Sequence, residues 1–218
     1  MLVSVVITAY NYGRYIERAI RSAMNQSLDR SQYEIIVVDD ASTDETPKIL
    51  ENYSDDVRMF RMEKNVGLAH SRNLGIQKAR GQYVVFLDAD DYFQHDILKI
   101  QSVFLTENNR LDAVSVDYHL VNELGDHIEW VAADKAPIAC GIMFRKDRLY
   151  DVGLYDTEFR AREDEDMRIR FLKKFNIYNI ILPLYRYRRH GNNLTDNSEE
   201  MEKYSTKLSR KHNSPDSQ

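Results

Sequence analysis

Residues 33–47 read YEIIVVDDASTDETP, and this run contains one complete transition from a strand to a helix. Its first part, residues 33–38, is an almost unbroken apolar and β-branched run, which is typical of a central strand in a parallel sheet covered on both faces. Residues 42–47 then place Ser and Thr before two acids and a proline, the residue types that begin a helix. The run predicts one βα unit, with Asp39 and Asp40 at the carboxyl end of its strand.

The same alternation extends through the N-terminal half of the chain. Further strands are predicted at Leu2–Ile7, Val57–Phe60 and Tyr83–Leu87, and further helices at Tyr15–Met24 and Leu68–Ala79. This order of strands and helices predicts an α/β fold with a doubly wound, mostly parallel central sheet flanked by helices.

The second half has a less regular pattern. A helix is predicted around Ile97–Leu105, strands at Ala113–Tyr118 and Ile138–Phe144 with a polar loop, Asn122–Lys135, between them, a helix around Met167–Phe175 and an extended segment at Ile177–Leu182. From Asp196 the chain is polar and predicts a charged helix that frays into disorder at Asn213–Gln218. No repeat or long linker interrupts residues 1–195, so we expect a single domain followed by a tail, residues 196–218.

Composition excludes several classes of protein. The 218 residues carry 30 Lys and Arg against 35 Asp and Glu, a net charge of -5, whereas a nucleic-acid binder would normally show a basic excess. A single cysteine, Cys140, excludes a disulfide framework. No apolar run approaches the roughly 18 residues that span a bilayer, and Met1–Ile7 is too short for a signal peptide. We therefore expect a cytoplasmic protein that does not bind nucleic acid.

Nine of the 35 acidic residues lie in three short clusters, at residues 39–40, 88–91 and 163–166. The first two follow predicted strands, and ligands of open α/β sheets bind outside the carboxyl ends of strands. Two carboxylates about 4 Å apart repel by roughly 4 kcal/mol at an effective dielectric constant of 20, a cost that a divalent cation removes. The Asp-Ala-Asp-Asp run at 88–91 therefore indicates a Mg²⁺ or Mn²⁺ site, with turn and helix-capping roles for the same acids as the alternative.

Two common nucleotide-binding patterns are missing. No Gly-x-Gly-x-x-Gly follows the first strand, and no phosphate-binding loop of the Gly-x-x-x-x-Gly-Lys type occurs. A receiver domain would carry adjacent acids after its first strand, whereas here that strand runs into Thr8-Ala9-Tyr10-Asn11.

Six segments, in this order along the chain, resemble the family-2 glycosyltransferases, which have the GT-A fold. They are TAYN at residues 8–11, VVDDASTD at 37–44, NVGLAHSRN at 65–73, GQYVVFLDADD at 81–91, Glu163-Asp164, and YRRH at 187–190. The resemblance covers residues 3–195 and implies a Rossmann-like nucleotide and metal half, about residues 1–95, fused to a smaller acceptor half at 96–195.

The resemblance implies an inverting, metal-dependent transfer of a sugar from a nucleotide-diphosphate sugar to a hydroxyl acceptor. It favours a UDP-sugar over GDP or dTDP donors, a sugar, glycan or lipid-linked acceptor, and a role in polysaccharide or glycan biosynthesis. It is compatible with peripheral contact at the inner face of a membrane. The sequence alone leaves the oligomeric state open.

On the donor side, the resemblance implies that Thr8 and Tyr10 line the nucleotide pocket, with the tyrosine ring against the base. Asp40, with Asp39 as the alternative, would accept a hydrogen bond from the base edge. Arg72 would approach the sugar or the diphosphate. The alternatives are core packing for Tyr10 and a solvated surface position for Arg72.

At the metal, the resemblance implies one carboxylate, Asp88, on the ribose or donor sugar, with Asp90, Asp91 and His190 as metal ligands. Arg188 would close over the diphosphate together with His190. The alternative for these two basic residues is an edge strand protected by charge.

On the acceptor side, the resemblance implies that Asp164 is the general base. Asp164 and Asp166 are two residues apart, so on a helix they point to different sides and only one can face the cleft. The alternative is that all the acids at 163–166 only complement the helix dipole. Trp130, in the predicted loop, is a candidate platform for an acceptor sugar, with simple packing as its alternative.

Two other functions remain open. A nucleotidyltransferase that makes nucleotide sugars would carry a Gly-rich, basic loop after the first strand, and residues 8–14 contain only Gly13 and Arg14 of that type. A non-catalytic nucleotide-sugar binding protein is the other alternative, which the carboxylates Asp88, Asp90 and Asp164 argue against.

Overall fold

The computed structural model describes residues 1–191, 193 and 198–213. Within this part, the strands are β1 Val3–Ala9, β2 Tyr33–Asp39, β3 Arg58–Arg61, β4 Tyr83–Asp88, β5 Tyr92–Phe93, β6 Ala113–Val121, β7 His127–Val131, β8 Met143–Arg145 and β9 Ile177–Arg188. The helices are α1 Gly13–Met24, α2 Thr46–Glu51, α3 Leu68–Lys78, α4 Ile97–Glu107, α5 Lys146–Asp151, α6 Glu163–Leu172 and α7 Ser198–Asn213.

One central sheet organises the fold. Its strand order is β3-β2-β1-β4-β8-β6-β9-β5, and β7 pairs with β6. Strands β3, β2, β1 and β4 are parallel to one another, and every residue of β1 and β2 is buried. This confirms the predicted doubly wound half, because two buried faces require the apolar runs seen in the sequence. β8 is antiparallel to β4 and β6 and joins this half to the other.

The second half differs from the prediction in several places. β9 continues six residues beyond the predicted Leu182, and α6 begins four residues before the predicted Met167. The predicted loop Asn122–Lys135 contains β7, which pairs antiparallel with β6. Its side chains are nearly all exposed, so no burial alternation marked it as a strand. The predicted strand Ile138–Phe144 is shorter, since Gly141 adopts a φ of 78° and only β8 beyond it is extended. The short elements β5 and α5 had no signal in the sequence.

The predicted charged helix in the tail is present as α7, and it packs on the domain. Tyr204 and Leu208, one turn apart, are buried against Phe159 and Ala161. The predicted domain boundary at residues 195–196 and all of the predicted disordered end beyond Asn213 lie outside the described residues.

Helix α3 lies unusually close to the sheet. A Cβ atom added at Gly75 would come within 2.3 Å of a methyl carbon of Val6 in β1, so only glycine allows this approach. Arg72 lies one turn earlier on the same helix and is buried. The close approach therefore carries Arg72 to the carboxyl ends of the strands.

Candidate active site

A cavity of about 520 Å³ opens at the carboxyl ends of the parallel strands. Its walls come from the ends of β1 and β4, the turn after β2, the start of α3, the loop before β8, the start of α6 and the start of α7. Eight of the residues predicted for the site line it: Thr8, Tyr10, Asp40, Arg72, Asp88, Asp90, Asp91 and Asp164. The volume falls in the range of small-molecule sites.

Asp39 and Asp40 are adjacent but have different surroundings. Asp40 lines the cavity, and its two carboxylate oxygens accept hydrogen bonds from the backbone N–H groups of Val66 at 2.9 Å and Gly67 at 2.8 Å. Asp39 lies outside the lining, where it accepts a hydrogen bond from the backbone of Ser42 and pairs with Arg61 at 3.2 Å. Asp40 thus orders the turn that enters α3, and Asp39 orders the turn behind the site.

The turn after β1 holds Tyr10 at the cavity mouth. Asn11 adopts a left-handed φ of 59°, its backbone N–H donates to Ser42, and its side-chain oxygen accepts from the backbone of Thr43 at 2.8 Å. These bonds tie the turns after β1 and β2 together. Thr8 is buried in register with Asp88, whereas the Tyr10 ring stays exposed and is available to stack on a planar group.

Each acid of the Asp88-Ala89-Asp90-Asp91 turn has a different partner. Asp88 pairs with Arg72 at 3.1 Å and keeps 30% of its side chain exposed. An Asp90 oxygen lies 2.9 Å from Nε2 of His190. Asp91 is buried and accepts bonds from the Tyr185 hydroxyl at 2.6 Å and the Arg188 backbone at 2.7 Å.

Burial dominates the electrostatics of this turn. It raises the pKa of Asp90, and the neighbouring Asp88 raises it further. Burial raises the pKa of Asp91 well above its usual range, with Asp90 and Asp88 adding to the effect. The turn is thus a site where added positive charge would be stabilised.

Arg188 and His190 support this turn from behind and are not among the residues that line the cavity. The Arg188 guanidinium lies between the rings of Tyr15 and Tyr92, and its Nε donates to the Asp90 carbonyl at 2.7 Å. The His190 ring stacks on Tyr15 with a centroid distance of 4.9 Å. Packing therefore fixes the orientation of the imidazole that faces Asp90.

The side chains at this turn restrict the kind of metal site that could form here. Within residues 1–191, 193 and 198–213, no group of three or more His, Cys, Asp or Glu side chains could hold a metal ion by itself. Asp91 uses both oxygens internally, so the predicted ligands that remain are Asp90, which lines the cavity, and His190, which lies outside the lining with its Nε2 2.9 Å from an Asp90 oxygen. Mg²⁺ typically binds through one or two carboxylates and completes its shell with phosphate and water. The residues fit an ion of that kind and do not fit an all-protein cage.

Arg72 joins the two acidic groups of the site. It is 1% exposed, and its two terminal nitrogens bond Glu163 at 2.6 Å and Asp88 at 3.1 Å. Burial raises the pKa of Glu163 to about 7, although Arg72 acts to lower it. Since both terminal nitrogens are engaged, Arg72 ties the start of α6 to the end of β4.

Two of the four acids at the start of α6, Asp164 and Asp166, have distinct positions. Asp164 lines the cavity and has no hydrogen bond or ion pair with any residue of the described ranges. Asp166 is fully buried on another side, where it pairs with Lys211 at 2.6 Å and Arg170 at 2.7 Å. Burial alone would raise the pKa of Asp166, but hydrogen bonds from these two cations lower it. Asp164 is therefore the available carboxylate on this wall.

The residues that line the cavity without any signal in the motifs include Arg160, Arg168, Glu200 and Met201. The last two belong to α7, and the spacing of Tyr204 and Leu208 was the one sequence feature that could have indicated its packing. Trp130 lies outside the cavity, half-exposed on β7, and its indole N–H donates to Asp117 at 3.0 Å.

Comparisons with known proteins identify the family of the chain. The family model described as glycosyl transferase family 2 matches residues 4–190. An uncharacterized glycosyltransferase of Rickettsia conorii is 33% identical over 87% of this chain, which spans 33% of that relative. The poly(ribitol-phosphate) β-N-acetylglucosaminyltransferase TarS of Staphylococcus aureus is 34% identical over 50% of this chain and 20% of its own length.

The fold is likewise shared with a solved structure. TarS 1–349 in complex with UDP-GlcNAc superposes with a TM-score of 0.78 at 24% identity, over 91% of this chain and 61% of that one. No helix of the described ranges has the length and apolar character needed to cross a membrane. The chain belongs to glycosyl transferase family 2 and has the GT-A fold.

Proposed function

We propose that this chain transfers a sugar from a UDP-sugar to a hydroxyl acceptor with inversion, in the assembly of a polysaccharide or glycan. One observation carries the proposal: the cavity joins an acidic turn at the end of β4 to Asp164 on another wall, a carboxylate that pairs with no side chain of the described residues. A metal-assisted diphosphate site and a general base are the two components that direct displacement at a sugar carbon requires. The similarity to TarS, a β-N-acetylglucosaminyltransferase whose structure was solved with UDP-GlcNAc, supports a UDP-sugar as the donor.

The nucleotide would bind at the ends of β1 and β2. The exposed ring of Tyr10 would stack on the base, beside Thr8, and Asp40 would accept a hydrogen bond from the base edge while it holds the turn before α3. Asp39 would act indirectly, through the turn that it orders. These contacts suit a planar base with a donor on its edge.

The sugar and diphosphate would lie over the acidic turn. Asp88 keeps an exposed edge for the ribose or donor sugar, and Arg72 holds that carboxylate in place. Asp90 and His190 would hold Mn²⁺ or Mg²⁺, with Asp91 and Arg188 fixing the turn around them. When bound, the cation neutralises charge that develops on the departing diphosphate.

Asp164 would act on the acceptor. As the acceptor oxygen forms its bond to the anomeric carbon, the bond from that carbon to the diphosphate oxygen breaks, and the hydroxyl proton passes to the Asp164 carboxylate. A single displacement of this kind inverts the configuration and forms no covalent enzyme intermediate. Within the part of the chain that the structure describes, no cation pairs with this carboxylate, which leaves it accessible as a proton acceptor.

A calorimetric titration with UDP, GDP and dTDP sugars, with and without Mn²⁺, tests the donor site. We expect a UDP-sugar to bind most tightly and only weakly without the metal. Equal binding of every diphosphate without metal would contradict the role of Asp90. Release of pyrophosphate instead of UDP during turnover would identify a nucleotidyltransferase.

The variant Asp164→Asn tests the base. We expect it to retain donor affinity and lose transfer by a hundredfold or more, in line with the usual contribution of general base catalysis of about 10²–10⁴. Glu107→Gln, the same chemical change at an exposed position on α4, is the matched control. Turnover of Asp164→Asn close to that of the control would refute the assignment.

A further inference from the structure

One stripe of α6 leads from the proposed base into a second cavity. Asp164, Arg168 and Leu172 are spaced four residues apart, so they lie on the same face of the helix, one turn after another. Asp164 lines the main cavity, Leu172 lines a second cavity of about 250 Å³, and Arg168 lines both. Two turns separate the first residue from the last, about 12 Å along the helix axis.

Arg168 stands at the junction of the two cavities. Among the described residues, no carboxylate, carbonyl or ring forms a hydrogen bond, an ion pair or a cation–π contact with its guanidinium. Two neighbouring arginines are engaged, Arg162 at the N-cap of α6 with Glu165, and Arg170 on α6 with Asp166. A partly buried cation between two cavities, with no partner among the residues that the structure describes, is suited to bind an anionic group of a ligand.

The second cavity offers mainly apolar surface. Its apolar walls come from Ala133, Pro137 and five branched side chains: Val116, Ile138, Ile142, Leu172 and Ile177. The polar side chains Ser115 and Asn179 in its wall are bonded to each other at 2.8 Å, and Asp134 lies exposed on the loop that lines it. A ligand would therefore gain by burying apolar surface here and would find few free polar groups.

Resting on the proposed transfer reaction, we propose that the acceptor is an amphiphile whose hydroxyl lies at Asp164, whose anionic group lies at Arg168, and whose apolar segment fills the second cavity. The order of the three groups follows the order of the stripe. An anion such as phosphate would stand about one helical turn from the reacting hydroxyl, and the apolar segment would begin one turn further.

The probe is octyl phosphate, used below its critical micelle concentration. Octyl glucoside carries the same alkyl chain without the anion, and inorganic phosphate carries the anion without the chain. Each of these two compounds is compared with the probe. Calorimetry on the full chain should give octyl phosphate an affinity at least tenfold above that of either compound. Saturating UDP with Mn²⁺ should change that affinity by less than twofold. Competition between UDP and octyl phosphate would assign the anion to the donor site and overturn the inference, as would equal binding of octyl phosphate and inorganic phosphate.

Two variants separate the contributions of the two groups. Arg168→Gln should lower the affinity for octyl phosphate tenfold or more, because a charged hydrogen bond is lost, and should leave the affinity for octyl glucoside unchanged. Leu172→Ser, at a side chain that is 53% exposed, should lower the affinity for both octyl phosphate and octyl glucoside several-fold. Arg110→Gln and Leu124→Ser are matched controls at exposed positions away from both cavities and should bind as the wild type does.

The outcomes distinguish this inference from the proposed function. If UDP-sugar binds and octyl phosphate does not, or if Arg168→Gln has no effect on octyl phosphate, the amphiphilic acceptor is refuted and the transfer reaction stands. If octyl phosphate binds as described and no nucleotide diphosphate binds, the ligand site stands and the proposed function is refuted.

Discussion

Replacing Arg72 by methionine should reveal how strongly this residue holds the site together. Arg72 is 1% exposed and is the cation that pairs with both Glu163 and Asp88. Methionine fills similar volume without charge and leaves two carboxylates without their partner. Loss of one member of a buried ion pair typically costs about 3–5 kcal/mol of unfolding free energy, and we expect a loss of that size for Arg72→Met at pH 8.5.

The loss should depend on pH with a defined sign. In the wild type the pKa of Glu163 is about 7, and Arg72 acts to lower it, so the variant must have a still higher value. Above pH 7 the folded variant then binds a proton that the folded wild type has released. The difference in unfolding free energy between wild type and variant therefore grows as pH rises above 7, by at most about 1.4 kcal/mol per pH unit. Near pH 6.5 the difference should be smaller.

Urea unfolding at pH 6.5 and 8.5, with the slopes compared between proteins, measures both effects. Arg148→Met is the matched control, because Arg148 pairs with Asp112 and Asp151 but keeps 34% of its side chain exposed. Screening by solvent limits such surface pairs to roughly 1 kcal/mol or less. A loss in Arg72→Met no larger than in the control, or one that shrinks as pH rises, would refute the reasoning.

Two further predictions concern the frame around the site. Asp166→Asn should loosen α7 by removing one of the carboxylates that bind Lys211, and the one that binds His212, so that a protease cleaves α7 at least tenfold faster than in Glu158→Gln, which breaks only an exposed pair; equal cleavage would show that the packing of Tyr204 and Leu208 and the Lys211–Asp156 pair hold the helix without Asp166. Gly75→Ala should lower the unfolding free energy by about 1–3 kcal/mol through overpacking against Val6. Val6→Ala combined with Gly75→Ala should recover part of that loss in urea unfolding, and failure of the pair to couple would place the strain elsewhere.

The N-terminal half of the fold could be predicted because its apolar runs in the sequence coincide with its buried strands. Strands β1, β2 and β4 are apolar because both of their faces are covered, so their runs are visible without knowledge of their partners. β7 has mostly exposed side chains and is held by backbone pairing with β6. No pattern of residue types in the sequence predicts this pairing. Side-chain patterns report burial, and a strand formed by backbone pairing at the surface has none to report.

The same distinction applies to the second cavity. The motifs located the residues that strand ends bring together, since the carboxyl ends of parallel strands share one edge of the sheet. Arg168 and Leu172 repeat the ordinary composition of an exposed helix face, and their spacing from Asp164 is unremarkable in the sequence. Only the tertiary structure shows that these two residues line a cavity, because the loop before β8 and the strand β9 enclose the space beside them.

The sequence by itself determined that acids gather at the ends of two strands and at the start of one helix, because those positions follow from local patterns of apolar runs and helix starts. Only the tertiary structure decided which acid does what. Asp39 and Asp166 are engaged by Arg61 and Lys211, whereas Asp164 faces the cavity without a described partner. The role of a carboxylate depends on its burial and on the cation that reaches it, and those cations come from distant parts of the chain.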